Sequence, residues 1–361
     1  MIDLQGLSQS IDALESWIID QKYKGWDPFD AINSPFIRKI TGSNRLVGQV
    51  FVQLFKRSPI NFRPLFKVPK GFNPKGMGLY LSTYIEKFRQ NKDPSYLKKI
   101  LHFDDWLEKN RTVTTHGIGW GYNFDWPNRG FFARAGTPTA VNSVFVGLAF
   151  LDLHHLSQEG FLPNTSSWHG ERSLAIVLEI CEFLLKDLNV FKKNEEEICF
   201  SYTPIDHRYV HNANILAAQL LAEVSKKTGN KIMGDYALSA TKFTVNCQRT
   251  DGAWWYGISK KDKWVDNFHT GYVLTGLKSI AEALDTDIFD ESLQKGYQFW
   301  KRNFLPMKAG PKYFENRKYP IDIHNISQTL LNGIDFYSMD PTALDYISDA
   351  LYYGLTNFRN R

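Results

Sequence analysis

The sequence predicts an all-α fold: an α/α toroid of five to six helical hairpins, with inner and outer helix rings. Three observations lead there. Apolar residues recur at helical spacing along nearly all of the 361 residues, strand-like alternation is scarce, and one loop-and-helix unit recurs four times. Each unit holds a helix ending near an aromatic residue (Trp106, Phe183, Phe243, Phe299), then an aromatic loop cluster, then a buried helix. The clusters are Trp120-Gly121-Tyr122, Phe200-Ser201-Tyr202, Trp254-Trp255-Tyr256 and Lys312-Tyr313-Phe314. A hairpin cannot bury its apolar face alone, so repeated hairpins must stack on one another.

Taken in order, Leu4, Leu7, Ile11, Leu14, Trp17 and Ile18 share one face of a first helix. That helix and residues 44–56 are candidates for a sixth hairpin, and residues 76–89 read as the inner helix of a fifth. Residues 137–156 are apolar on nearly all sides, which marks a buried helix. The other inner helices are expected over 211–225, 269–284 and 324–336, and amphipathic outer ones over 172–186, 235–248 and 290–304. Asp340-Pro341 offers a cap and a first-turn proline for a last helix, to residue 357. Residues 1–361 are thus read as a single domain, with 1–75 as N-terminal helices and an irregular basic segment packed on the toroid.

Composition narrows the function classes. A net charge of +5, from 43 basic and 38 acidic residues, is too mild to argue for nucleic acid. Lys56-Arg57 and the lysines from 67 to 75 lie near Phe55, Leu65 and Phe66, a combination suited to an anionic ligand, a membrane surface or a biosynthetic complex. Cys181, Cys199 and Cys247 form no disulfide framework, and the N-terminus shows no basic region followed by an apolar core. No apolar run reaches about 18 residues. The expectation is a cytoplasmic protein with no integral span, no cofactor and no metal. Phosphate-binding glycine loops and serine nucleophile elbows are absent from the sequence.

Residues 248–254, Gln-Arg-Thr-Asp-Gly-Ala-Trp, fit QxxxGxW, and Ala240 and Phe243 fall where the glutamine–tryptophan repeat of squalene and terpenoid cyclases has such residues. The segment resembles that repeat. The double ring is similar to the toroids of terpenoid cyclases, protein prenyltransferases and six-hairpin glycan-processing enzymes. In the motif, glycine permits a tight turn, tryptophan packs back, and glutamine can bond exposed helix-end backbone. No DxDD or DDxxD run is present, and no cysteine has the spacing of a prenyltransferase zinc ligand. Residues 119–125, 135–138, 266–272 and 319–324 resemble uncharacterised bacterial toroid proteins found with glycan and capsule biosynthesis enzymes. That resemblance implies a context in polysaccharide biosynthesis without fixing a reaction.

In a toroid the inner helices all begin at one end, so the residues opening them converge. Three of the nine histidines, His211, His269 and His324, read as equivalent repeat positions there. With Tyr256, Asp266 and Asp322 they form the expected catalytic set. Histidine serves as acid or base near neutral pH, and each aspartate can orient an imidazole or cap its helix. The expected substrate contacts are Tyr122, Asn123, Asp125, Trp126, Arg134, Tyr202, His207, Asn212, Asn214, Trp255 and Tyr272. Two histidines across a ring suit sugar epimerisation. One histidine with a tyrosine suits elimination from a uronate, and paired carboxylates suit hydrolysis. The leading expectation is an enzyme acting on a sugar or a uronic-acid-containing glycan. The alternatives are a polyisoprenoid-handling protein and a non-catalytic glycan-binding scaffold.

Overall fold

The computed structural model describes residues 4–42, 44–128, 130–160, 167–306 and 310–358. Helix α1 (Leu4–Asp20) comes first. Contacts then divide the chain into two compact units: residues 18–189 with 201–207, and residues 190–200 with 208–361 and 1–17.

The first unit opens with α2 (Pro35–Thr41) and α3 (Arg45–Arg57). These do not supply hairpin arms. They close with Ala31, Ile32 and Val68 on a small core of their own, against which Trp26, Phe29, Phe62 and Phe66 pack. The expected sixth hairpin is therefore absent among the described residues, and α3 packs on α2 instead. Two hairpins follow: α4 (Pro74–Asn91) with α5 (Pro94–Lys109), and α6 (Ala140–Gln158) with α7 (Ser167–Lys186). Helix α6 is buried on nearly all sides, as its composition requires, and it packs beside α4. It starts at Ala140 because the Thr139 hydroxyl caps it, accepting from Asn142 N. Short ladders β1 (Thr112–Val113) with β2 (Ile118–Gly119) and β3 (Trp126–Pro127) with β4 (Phe132–Ala133) brace the loop between α5 and α6.

The second unit begins with the ladder of β5 (Val190–Lys192) and β6 (Ile198–Phe200). Three hairpins follow: α8 (His211–Thr228) with α9 (Lys231–Val245), α10 (Asn267–Leu284) with α11 (Asp290–Phe304), and α12 (Ile323–Phe336) with α13 (Ala343–Phe358). Helices α8, α10 and α12 pack side by side, so their first turns share one end of this unit. Glycines on two faces of α10 allow that: a Cβ on Gly276 would collide with Ile215 of α8, and one on Gly271 with Gln328 of α12. The last helix starts at Ala343, later than Asp340-Pro341 suggests. The Asp340 carboxylate takes Thr342 N (3.1 Å) and Thr342 Oγ1 (2.6 Å) in a turn ahead of the helix.

A repeated hydrogen bond ties three of the four loop clusters to a helix start. The first residue of α6, Ala140, donates its N–H to Tyr202 O (2.9 Å) within the first unit. In the second unit His211 N donates to Tyr256 O (3.1 Å) and Asn267 N to Tyr313 O (2.9 Å). Helix starts leave N–H groups without intrahelical partners, and the next loop's tyrosine carbonyl satisfies one of them. The recurring order of cluster and helix therefore has a backbone cause.

The QxxxGxW segment works somewhat differently from the expectation. Trp254, rather than glutamine, bonds the helix end: its Nε1 donates to Thr244 O (2.9 Å). Gln248 Nε2 instead donates to Gly252 O and to Ser292 O of α11, both at 2.9 Å. Gly252 sits at φ +97, where a side chain would be strained and a Cβ would meet Lys295 O. Trp120 in the first unit repeats the tryptophan role, donating Nε1 to Leu107 O at the end of α5 (2.9 Å).

Candidate active site

The starts of α10 and α12 build the site. Asp266 caps α10: Oδ1 accepts from His269 N (3.0 Å), and Oδ2 meets His269 Nδ1 (2.8 Å). Trp264 Nε1 also donates to Asp266 Oδ2 (3.1 Å). Asp322 caps α12 in the same manner, taking His324 N and His324 Nδ1 on Oδ1, both at 2.9 Å. A carboxylate accepts only, so each Nδ1 carries the proton and each Nε2 is left as a base. The His269 side chain keeps 23% of its exposure and that of His324 53%, so both imidazoles are reachable.

Aromatic rings join the two pairs. Phe268 lies 4.1 Å from the His269 ring and 5.5 Å from the His324 ring, so one benzyl group packs against both imidazoles. Tyr256 meets His269 edge-on at 4.7 Å and stacks on Trp264 at 4.6 Å. Tyr272 lies 6.2 Å from His269, and Tyr313 lies 5.9 Å from Phe268. Burial drives the Tyr313 phenol far above the usual tyrosine range, helped by the charges of Asp266 and Asp322. It stays a hydroxyl donor at any working pH. Arg208 lies over the Tyr256 ring (5.3 Å) and is held there by Asp262, Nη2 to Oδ1 at 2.5 Å.

His211 does not belong with these two. By the tyrosine-carbonyl link its counterpart is Asn267, two residues before His269, so the three histidines are not equivalent. His211 is 3% exposed, stacks on Phe243 (5.9 Å) and has Nδ1 3.3 Å from Thr244 Oγ1. Burial lowers its pKa to about 4, with the nearby charge of Lys263 adding to the effect. It is a neutral core imidazole at pH 7. Asn214 is likewise spent on structure, accepting Phe200 N and donating to Ala240 O and Thr244 Oγ1. Asn212 is buried with its Oδ1 unpaired. Trp255 faces the cations of Arg249 (4.4 Å) and Lys263 (5.3 Å).

The first unit gathers other expected residues. Tyr122 OH meets Tyr202 OH (3.2 Å), and Trp126 packs 5.2 Å from Tyr122 and 5.5 Å from Tyr202. Asp125 is divided between Arg38 (3.1 Å) and Ala135 N (2.8 Å), and the Asn123 carbonyl lies 3.5 Å from Asn33 Nδ2. Arg134 and His207 are exposed. A further pair, His116 Nδ1 to Asp187 Oδ1 (2.7 Å), lies in the same unit. Asp187 also takes Thr114 Oγ1 and His116 N there, closing a turn. An imidazole–carboxylate pair alone is therefore no mark of chemistry. Two pairs around one aromatic cluster are a more specific arrangement.

Sequence reasoning passed over Trp264, Phe268 and Arg208 as site residues. Trp264 and Phe268 flank Asp266 and His269 directly, which was the available signal. A cleft of about 740 Å³ lies at the far end of α10, lined by Lys278, Glu282, Asp285 and Asp290. Among the described residues no group of three or more His, Cys, Asp or Glu is placed to hold a metal.

No protein-family model matches the chain, and no curated protein sequence does. Solved structures do match. The cellobiose 2-epimerase of Spirochaeta thermophila is 12% identical with a TM-score of 0.59, over 79% of this chain and 74% of that one. A sugar epimerase from a ruminal bacterium gives 12% and 0.60, over 81% and 78%. A GH76 α-mannanase of Bacteroides thetaiotaomicron gives 10% and 0.57, over 91% and 86%. The fold is that of the α/α toroids. The resemblance to six-hairpin glycan-processing enzymes therefore holds at the level of fold.

Proposed function

We propose that the protein is a carbohydrate-active enzyme that moves a proton at a carbon next to a sugar carbonyl, an epimerase or isomerase. The observation that carries this is the pair of cap-held imidazoles, His269 on Asp266 and His324 on Asp322, both packed against the Phe268 ring. One Nε2 removes the carbon-bound proton, leaving an enediolate. The other imidazole, protonated, returns a proton to the opposite face. The Tyr313 hydroxyl is suited to donate to the developing oxyanion, and Tyr256, Trp264 and Phe268 offer faces on which a sugar ring can stack. Tyr122 and Trp126, half-buried in the first unit and packed on the buried Tyr202, offer further faces of that kind.

Hydrolysis by paired carboxylates fits less well, because Asp266 and Asp322 are both occupied in holding imidazoles. The toroid neighbours include two sugar epimerases and a D-mannose isomerase, which supports the proton-transfer reading. Cys181, Cys199 and Cys247 are unpaired, which suits a reducing compartment, and we place the enzyme in cytoplasmic polysaccharide biosynthesis.

The test is solvent exchange. The protein is incubated in D₂O with a panel of reducing sugars, disaccharides and uronates, and carbon-bound protons are followed by NMR. Exchange beside a carbonyl is expected, and it should be lost in His269→Asn and His324→Asn. Release of sugar from a glycan with no such exchange in any member of the panel would sink the reading.

A further inference from the structure

The chain's positive charge comes from one segment. Between Asp30 and Glu86 the sequence has nine Lys and Arg and no Asp or Glu. The rest of the chain holds the remaining 34 basic residues against all 38 acidic ones, so without this segment the protein is net acidic.

That same segment exposes aliphatic side chains where a surface helix should be polar. Helix α3 buries Val52 and Phe55 on one face. Its other face carries Leu46, Val50 and Leu54, four residues apart and each 57% to 65% exposed. Helix α2 exposes Ile40 at 71%, and the loop after α3 exposes Ile60 and Leu65 at 63% and 73%. The loop is held in this attitude. Phe62 and Phe66 turn inward onto Phe55 (6.3 and 5.3 Å), and Ser34 Oγ donates to Phe66 O (2.6 Å). Lys67 Nζ lies over the Phe36 ring of α2 (5.7 Å), which joins the loop to that helix. The exposed cations Lys39, Lys56, Arg57 and Lys70 come from the same stretch.

We infer that this face, formed by α2, α3 and the loop to residue 67, docks on an anionic phospholipid bilayer. Aliphatic tips entering the acyl boundary beside lysines and arginines at the headgroups form the pattern of an interfacial amphipathic surface. Charge decides against the other occupants. A second copy meeting this face symmetrically would set cations against cations. Single-stranded nucleic acid calls for stacking platforms, whereas these exposed side chains are aliphatic except for Phe36. The contact is peripheral: the described helix apolar and long enough to span, α6, has 72% of its apolar window buried inside the protein. An enzyme working at a membrane surface would meet substrates carried on lipid or made there.

Vesicle flotation of the full chain tests this, with phosphatidylcholine alone and with phosphatidylcholine mixed with phosphatidylglycerol, at low and high salt. Binding is expected only to the anionic vesicles and should weaken at high salt. Val50→Ser with Leu54→Ser, and separately Lys39→Gln with Arg57→Gln, should each reduce binding by about tenfold or more. All four positions are exposed, so circular dichroism and Tm should stay at wild-type values. Failure to float with anionic vesicles overturns the inference, as does equal binding to neutral ones. Indifference to both variant pairs overturns it too, and so does a concentration-dependent dimer that Val50→Ser with Leu54→Ser abolishes while vesicles are ignored.

Discussion

The start of α8 and the start of α10 perform the same structural task with opposite chemical results. Each opens an inner helix, and each donates its first N–H to a tyrosine carbonyl in the following loop. His211 is the first residue of α8, whereas His269 is the third of α10. Two positions amount to about 200° of rotation around a helix, enough to carry a side chain from the core to the opening. The preceding residue adds a second difference. Val210 offers α8 no side-chain cap, while Asp266 caps α10 and grips Nδ1 of His269. A histidine at a helix start is offered to solvent by its angular position and oriented by its cap, and its place in a repeat does not suffice.

The largest effect expected from that difference is on turnover. His269→Ala should lower the exchange rate roughly 10²–10⁴-fold, as loss of a general base does, with little change in Tm because the ring is part-exposed. His211→Gln should leave the rate per folded molecule near wild type. If His211→Gln costs as much as His269→Ala in folded protein, the comparison fails.

A smaller loss is expected at the carboxylates. Asp266→Asn keeps a good helix cap but no longer fixes the imidazole tautomer, so kcat should fall about 10- to 100-fold at nearly unchanged stability. Thermal unfolding run alongside the kinetics separates orientation from capping.

His211 should instead show itself in stability against pH. Its folded pKa lies near 4, below the usual 6.5. Between those values the unfolded chain binds the proton that the folded chain refuses, so stability is full above about pH 6.5 and falls as pH drops toward 4. The amplitude is on the order of 3 kcal/mol. Urea unfolding across that window should show the slope, and His211→Gln should flatten it. An unchanged slope in the variant would place the titration elsewhere.

The smallest effect concerns the hydroxyl that His211 shares with Asn214. Thr244→Val leaves both without that partner and should cost about 1–3 kcal/mol, read by denaturant midpoint, with exchange activity retained.

Much of the fold was legible along the chain. The all-round apolar run of α6, the periodic faces of α9 and α11, and the recurring loop clusters each correspond to an observed element. Helix α6 shows how a cap moves a boundary: Thr139 fixes the start that hydrophobicity alone put at residue 137. The segment 31–68 misled because its apolar residues serve a local core and an exposed face at once, and periodicity cannot separate those uses. At the site, Asp266 and Asp322 announced their caps, since an aspartate just ahead of an apolar helix has few other uses. Asn214 could not be read correctly, because its partners, Phe200 and Ala240, lie on other elements.

By itself the sequence determined which segments coil, where most of them begin and end, and which residue types stand at the helix starts. Those properties follow from neighbours within a turn or two, where spacing is set by covalent geometry. Only the tertiary structure decided which imidazole is buried and which is offered, and that Phe268 packs on both His269 and His324. Those outcomes depend on how helices rotate and pack against partners distant in the chain, because the face a helix turns inward sets which side chains meet core and which meet solvent.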